Sequence, residues 1–335
     1  MDLQSEASSE KRILIARHIS AEKALDVPNN AVNTTFLCHS YTLQPDFRTY
    51  AEALQVYGWV LWACALLCVC VACALYACNV RSALRHWGGA ATHVAFVLAV
   101  YPVVSIAAFM ALVVPRTQVL SEAISQEAVM LGLYHFYCLV VAECGGPEHL
   151  VRRTEGSLLE TRVLPCCFYP CCILPRPKLQ PRHFKVLRML LLQVPVIQGL
   201  IYIAILGLRA EDVSVYLSNY IYFQPLVAAS VLTGIWGIMM CLKAAEATGA
   251  RPRARFLALQ FALIIVKVQC GVAKTLPTLT SLKCLFALNP SVVVDLIHNT
   301  VTILEMLLLS IWAWRLYKVP PGKILENEQN IMPAE

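Results

Sequence analysis

The sequence predicts an all-α polytopic membrane protein with seven transmembrane helices, its amino-terminus outside and its carboxy-terminus in the cytoplasm. Three observations predict it. Hydrophobic residues make up 58% of the 335 positions and charged residues only 14%, with a mean hydropathy of +0.62, a balance that no water-solvated domain shows. Seven apolar stretches are each long enough to cross a hydrocarbon core of about 30 Å at helical rise. Lysine and arginine gather in alternate loops, as they do when positive residues are held on the cytoplasmic side.

The stretches are 56–78, 90–114, 118–142, 186–208, 219–242, 256–276 and 291–316. Residues 1–55 form an extracellular tail, of which Met1 to Ser20 hold no continuous apolar signal segment and no small-residue cleavage site, so the first span is expected to direct insertion. The spans make one transmembrane domain, 56–316, with a Cys-rich cytoplasmic loop at 143–185, and 317–335 form a cytoplasmic tail. The third span is the weakest, interrupted by Glu122, Gln126, Glu127 and His135, and the sixth carries Lys267 mid-span. Both read as helices buried among others. Pro102, Pro195 and Pro225 fall within spans, where neighbouring helices or water can satisfy the freed carbonyls.

With the amino-terminus outside, the inner segments carry Arg81 and Arg85, then the run from Arg152 to Arg188, then Lys243 to Arg255, then Arg315, Lys318 and Lys323. The short outer loops hold only Arg116, Arg209 and Lys283. Asn33-Thr34-Thr35 fits the N-glycosylation sequon and independently favours an outer tail. The net charge of +6 therefore reports topology; the basic residues form no stripe beside stacking aromatics, so nucleic acid is not an expected partner.

The fifteen cysteines need separate readings. Cys166, Cys167, Cys171 and Cys172 lie between Arg162 and Arg176 in the longest inner loop, where acyl chains would draw the loop onto the inner leaflet. Zinc is the alternative, but adjacent pairs without a histidine suit it less well, and no metal site is expected. Cys38 in the tail and Cys284 in the last outer loop share an oxidising compartment that permits a disulfide, against the plain alternative of two free thiols. Cys64, Cys68, Cys70 and Cys73 read as soft packing residues.

Ionisable groups inside a membrane are costly and mark partners or water-filled cavities. On the seventh span Asp295, His298, Thr302 and Glu305 share one helical face. On the sixth, Gln260, Lys267 and Lys274 recur every seven residues. At helical rise Lys267 lies roughly 15 Å below the outer end of its helix, level with the interval from His298 to Glu305. It is thus placed to pair with Glu305 or Asp295. Two readings stay open: a buried ion pair that joins two helices, or a cation, Lys267 or His298, that meets the anionic group of a solute. Glu122 and Gln126 share a face on the third span and are placed to line the same path, with His135 more loosely aligned and Tyr134 and Tyr137 nearby.

No Walker-type phosphate loop, HExxH or GxSxG set is present, so neither nucleotide coupling nor enzymatic activity is expected, and no cofactor. The third span ends in Ala142-Glu143-Cys144-Gly145 and not in a DRY-like set, and the seventh lacks an NPxxY-like inner end. A heptahelical receptor or a membrane scaffold without transport is nevertheless the alternative class. Gly234 and Gly237 are small enough for close helix packing, and association into a higher-order oligomer is left open.

Several segments together carry a family resemblance. They are Pro115-Arg116 through Glu122, Glu143-Cys144-Gly145-Gly146-Pro147-Glu148, Arg152-Arg153-Thr154, the cysteine pairs 166–167 and 171–172, Arg255-Phe256 with Gln260 and Gln269, and Ile303-Leu304-Glu305. Over most of 50–320 the chain resembles the alpha subunit of the organic solute transporter, in a wider family that includes the transmembrane 184 group. The resemblance implies a plasma-membrane facilitative carrier, driven by the solute gradient, for amphipathic organic anions such as bile acids and conjugated steroids. It also implies a small single-pass beta subunit as partner. The sequence departs from that pattern where Phe168-Tyr169-Pro170 splits the cysteines into two pairs. With Gln269 added, the candidate path residues are Lys267, His298, Glu305, Asp295, Thr302, Glu122, Gln126, His135 and Gln269.

Overall fold

In hydrocarbon a backbone must satisfy its own N–H and C=O groups, so each apolar stretch forms a helix. The computed structural model describes residues 44–154, 158–163, 176–250, 252–279 and 288–318. Its helices are α1 (Phe47–His86), α2 (Ala91–Val113), α3 (Gln118–Glu143), the short α4 (Pro147–Arg153), α5 (Pro181–Glu211) and α6 (Val213–Glu246). They are followed by α7 (Arg253–Ile264), a π turn (Ile265–Gln269), α8 (Cys270–Leu279) and α9 (Pro290–Tyr317). With α7 and α8 counted as one span, seven helical segments among the described residues are long and apolar enough to cross a membrane. The helices run on through Pro102, Pro195 and Pro225.

The first span was expected to begin at residue 56, and α1 breaks just before it, where Gln55 takes φ 51, ψ −139. Fifteen residues of unbroken helix would separate Phe47 from Trp62 by about 22 Å, yet their rings stack with centroids 5.8 Å apart. The segment before Gln55 therefore folds back on the span. The Tyr50 hydroxyl holds it there by donating to the Leu112 carbonyl at 3.1 Å.

The third span, weakest by hydropathy, proves to be central. Half of its apolar window is buried, second only to the 61% of the span containing α2. α3 packs against α2 and α5 and also touches α6 and α7, while α1, α2 and α9 group on one side and α5 pairs with α6 on the other. Lipid-facing helices need a wholly apolar surface, and an interior helix does not.

Glycines set two of these approaches. A Cβ on Gly132 would overlap Val100 of α2, and one on Gly234 would lie 2.5 Å from Val194 of α5. Gly234 and Gly237 thus serve packing within the chain, since Gly237 in turn faces Leu191 and Leu190 of α5.

At the Lys/Arg-rich end, α3 stops in a Schellman motif. The N–H of Gly146 bonds the Val141 carbonyl at 2.9 Å and that of Gly145 the Ala142 carbonyl at 3.0 Å, with Gly145 at φ 82, a conformation glycine adopts without a Cβ penalty. The two described arms of the long loop meet at an antiparallel bridge between Leu158 and Lys178. Leu159, Val163 and Leu179 are buried in the main core, and Trp236 Nε1 donates to the Thr161 carbonyl at 3.0 Å. Cys166, Cys167, Cys171, Cys172, Asn33, Cys38 and Cys284 lie outside the described residues. Of the α1 cysteines, Cys64 and Cys70 are exposed, whereas Cys68 and Cys73 contact the core.

Candidate functional site

Two layers of polar groups cross the bundle through α3. In the first, Gln118 Nε2 donates to Glu122 at 3.1 Å, Asn299 Nδ2 donates to Gln118 at 2.8 Å, and Lys274 Nζ meets Glu122 at 2.5 Å. The network joins α3, α8 and α9. It borders a small cavity of about 20 Å³ that also receives Ser125, His298 and Thr302, room for about one water molecule. His298 Nδ1, Thr302 Oγ1 and one oxygen of Glu305 are buried without a protein hydrogen-bond partner, and Glu305 lies beside Gln269. His298 and Thr302 of α9 are therefore turned inward, into this cavity. Asp295, on the same face, is partly buried.

The second layer is built on Lys267, in the π turn. Its ammonium donates to Gln126 Oε1 and, at 2.8 Å, to Gln198 Oε1 of α5. A chamber of about 80 Å³ opens beside it, bordered by Gln126, Gln198, Tyr202 and Gln224, large enough for a few waters.

The expected pairing of Lys267 with Glu305 or Asp295 does not form. Lys267 turns to α3 and α5, and its oxygen partners are uncharged amides. The π turn is the physical reason: an i→i+5 turn inserts a residue and breaks the phase of the helix, so a seven-residue repeat no longer marks one face. Both lysines still reach α3, Lys274 at Glu122 and Lys267 one turn on at Gln126. Their long stems absorb the difference in rise.

His135 joins neither layer. Its Nδ1 lies 3.0 Å from His93 Nδ1 on α2, and its ring stacks on Phe96 at 4.1 Å and 5°. Beside it the Tyr134 hydroxyl accepts from Arg188 Nε at 3.0 Å. Tyr137 is buried and donates to the Phe184 carbonyl at 2.6 Å.

A groove of about 490 Å³ lies between α2, α3 and α5, with walls such as Phe96, Val100, Ile124, Leu131 and Leu206. That volume is in the range of small-molecule sites. One charged residue, Glu127, projects into it. One Glu127 oxygen is buried with no protein partner, facing Gly199, where a Cβ would stand 3.7 Å away, and Lys267 lies within electrostatic range. Tyr202 borders both the groove and the Lys267 chamber, so the two compartments share a wall.

A family model described as organic solute transporter Ostalpha matches residues 61–321. The chain belongs to this family. It is also 23% identical over 224 residues to the organic solute transporter alpha-like protein of Drosophila melanogaster, covering 66% of this chain and 67% of that one. No solved structure matches. The family is one of transporters and not of enzymes.

In this organic solute transporter chain the match runs from within α1 to just beyond α9 and so takes in the groove and both polar layers. It also takes in a buried ion pair: Arg255 grips Glu143 with two N–H groups, the second at 2.8 Å, and its guanidinium lies 5.6 Å from the Trp87 ring centroid and 5.5 Å from that of Tyr317. Four segments meet there. Sequence reasoning missed Gln118, Asn299 and Gln198 as partners and treated Glu127 as an interruption only. The i, i+4 spacing of Gln118 and Glu122 was a usable signal; nothing local points to Gln198 or Asn299.

Proposed function

We propose that the chain is the heptahelical subunit of a facilitative plasma-membrane carrier for amphipathic organic anions such as bile acids and steroid conjugates. It moves them down their gradient in either direction, together with a single-pass beta-type subunit. Residues 1–55 lie outside the cell, and the cysteine loop and the carboxy-terminal tail lie in the cytoplasm. Asn33 carries a glycan, Cys38 pairs with Cys284, and Cys166, Cys167, Cys171 and Cys172 carry acyl chains. Family membership supports transport of an organic solute. One geometric observation carries the finer reading: a large apolar groove shares the Tyr202 wall with a polar chamber containing Lys267.

An amphipathic anion needs such a pair of surfaces. Its apolar body leaves water for the groove wall at roughly 25 cal/mol per Å² buried. Its anionic group meets Lys267, whose ammonium donates to the amide oxygens of Gln126 and Gln198 and has Glu127 within electrostatic range. Gln126, Gln198 and Tyr202 supply further polar contacts, and Glu122, Thr302, His298, Asp295, Glu305, Gln269 and Lys274 form the hydrated interior along which the bundle rearranges.

Labelled taurocholate or estrone sulfate is followed into and out of cells making the chain, with and without a single-pass partner. The expected result is flux that follows the solute gradient in both directions and survives ATP depletion. Surface protein without flux under any of these conditions overturns the carrier reading, and solute binding without flux would favour a receptor or scaffold.

A further inference from the structure

A second cationic cluster, separate from the Lys267 chamber, lies next to the groove and touches its wall residue Phe96 through His135. His93 of α2, His135 of α3 and Arg188 of α5 converge at the Phe96 end of the groove, linked by the 3.0 Å imidazole contact, the 4.1 Å stack of His135 on Phe96, and the 3.0 Å Arg188 to Tyr134 hydrogen bond. Phe96 is a groove wall. Among the described residues no carboxylate pairs with Arg188 or with either histidine.

Three cationic or proton-donating side chains from three helices thus meet without an acid: the histidines are half-buried, and Arg188 is exposed near the Lys/Arg-rich end of α5. We propose that His93, His135 and Arg188 form an anion station at this mouth of the groove. It takes the oxyanion head, sulfate, carboxylate or phosphate, of an amphiphile whose apolar body lies along Phe96, Val100 and Leu131.

Donor counting supports it. Arg188 has five N–H groups and spends its Nε–H on Tyr134, leaving the Nη groups for a two-point contact with an oxyanion. In the histidine pair one Nδ1 donates to the other, so the accepting ring carries its proton on Nε2, directed away from the pair. Glu127 sharpens the orientation. It is the charged residue in the groove wall, and its carboxylate repels an anionic head from that stretch. The station is thus a second place for the head, besides the Lys267 chamber, with the apolar body along the wall between them.

The same oxyanion chemistry is offered by the transported solute and by an anionic lipid. The solute arm rests on the carrier reading above; the lipid arm does not. The test uses the full-length chain in phosphatidylcholine nanodiscs, reading thermal stabilisation by estrone sulfate, by its uncharged parent estrone, and by added phosphatidylserine. If the solute supplies the head, estrone sulfate stabilises far more than estrone, and Arg188→Gln weakens its apparent affinity about tenfold, the size expected for a lost charge-assisted contact. Arg188→Lys retains part of it. If a lipid supplies the head, phosphatidylserine alone stabilises, and Arg188→Gln abolishes the effect. The station is overturned if no anion stabilises the wild type, or if Arg188→Gln and the His93→Gln/His135→Gln double variant both respond as wild type does. Anion binding that depends on Arg188, in a protein with no flux, counts against the carrier reading alone.

Discussion

Arg255 and Glu143, 112 residues apart, form a two-point ion pair in which the side chains retain 6% and 9% of their exposure. The guanidinium plane also faces Trp87 and Tyr317, so one residue ties the end of α3 to the start of α7, the turn after α1 and the end of α9. Removing one partner of a buried pair leaves a desolvated charge, at about 3–5 kcal/mol. Arg255→Met and Glu143→Leu are each expected to lower the melting temperature of the detergent-solubilised full-length chain markedly. Arg255→Lys should recover little, since lysine neither forks nor stacks. The double variant Arg255→Met with Glu143→Leu should melt above either single one; if it melts no higher, the pair is not the source of the loss.

Close helix approach gives a paired prediction. Gly132→Ala drives a methyl group into Val100 between α2 and α3, where overpacking costs about 1–3 kcal/mol. At Gly207, in α5, a Cβ would meet no atom within 4 Å, so Gly207→Ala gains the helix propensity of alanine, about 1 kcal/mol at most. Thermal melting should move down for the first and stay level or rise for the second. Equal shifts would mean that the α2–α3 contact yields freely.

The spans were legible because hydropathy and helical rise are local properties, and predicted 118–142 against observed Gln118–Glu143 shows how closely. The direction of each polar side chain was not. Gln126 and Glu127 are neighbours in sequence, but about 100° of helical rotation sends one to the Lys267 chamber and the other to the apolar groove. Nothing in Ile265-Val266-Lys267-Val268-Gln269 announces a π turn, and nothing local shows that Lys267 turns to Gln198 of α5 as well as to α3. Glu143 and Arg255 were both visible as family-like residues, while their contact depends on the packing of α3 against α7.

Gly199 separates a groove path from a wholly interior one. A methyl group there meets Glu127 only at van der Waals distance, 3.7 Å, so Gly199→Ala should transport normally. Gly199→Leu adds a bulky apolar side chain at a groove-lining position beside Glu127. Estrone sulfate flux should fall by about tenfold or more while surface biotinylation stays unchanged, as a blocked apolar surface forfeits most of the solute's burial. Undiminished flux in Gly199→Leu would exclude the groove as the route.

Lys267 distinguishes solute binding from helix pairing. Lys267 makes its direct contacts to amide oxygens, Gln126 and Gln198, with the Glu127 carboxyl group further off, and leaves Glu305 to the neighbourhood of Gln269. Lys267→Ala should remove two charge-assisted hydrogen bonds to amide oxygens, about 1.5–3 kcal/mol each, together with the cation that an anionic group would meet. Transport of sulfated or carboxylated solutes should drop about tenfold at equal surface density. Lys267→Arg should retain more flux than Lys267→Gln because it keeps the charge. Loss of surface protein in all three variants, with flux per molecule unchanged, would assign Lys267 to structure. Normal surface density with graded flux in the order Lys, Arg, Gln, Ala would assign it to the solute.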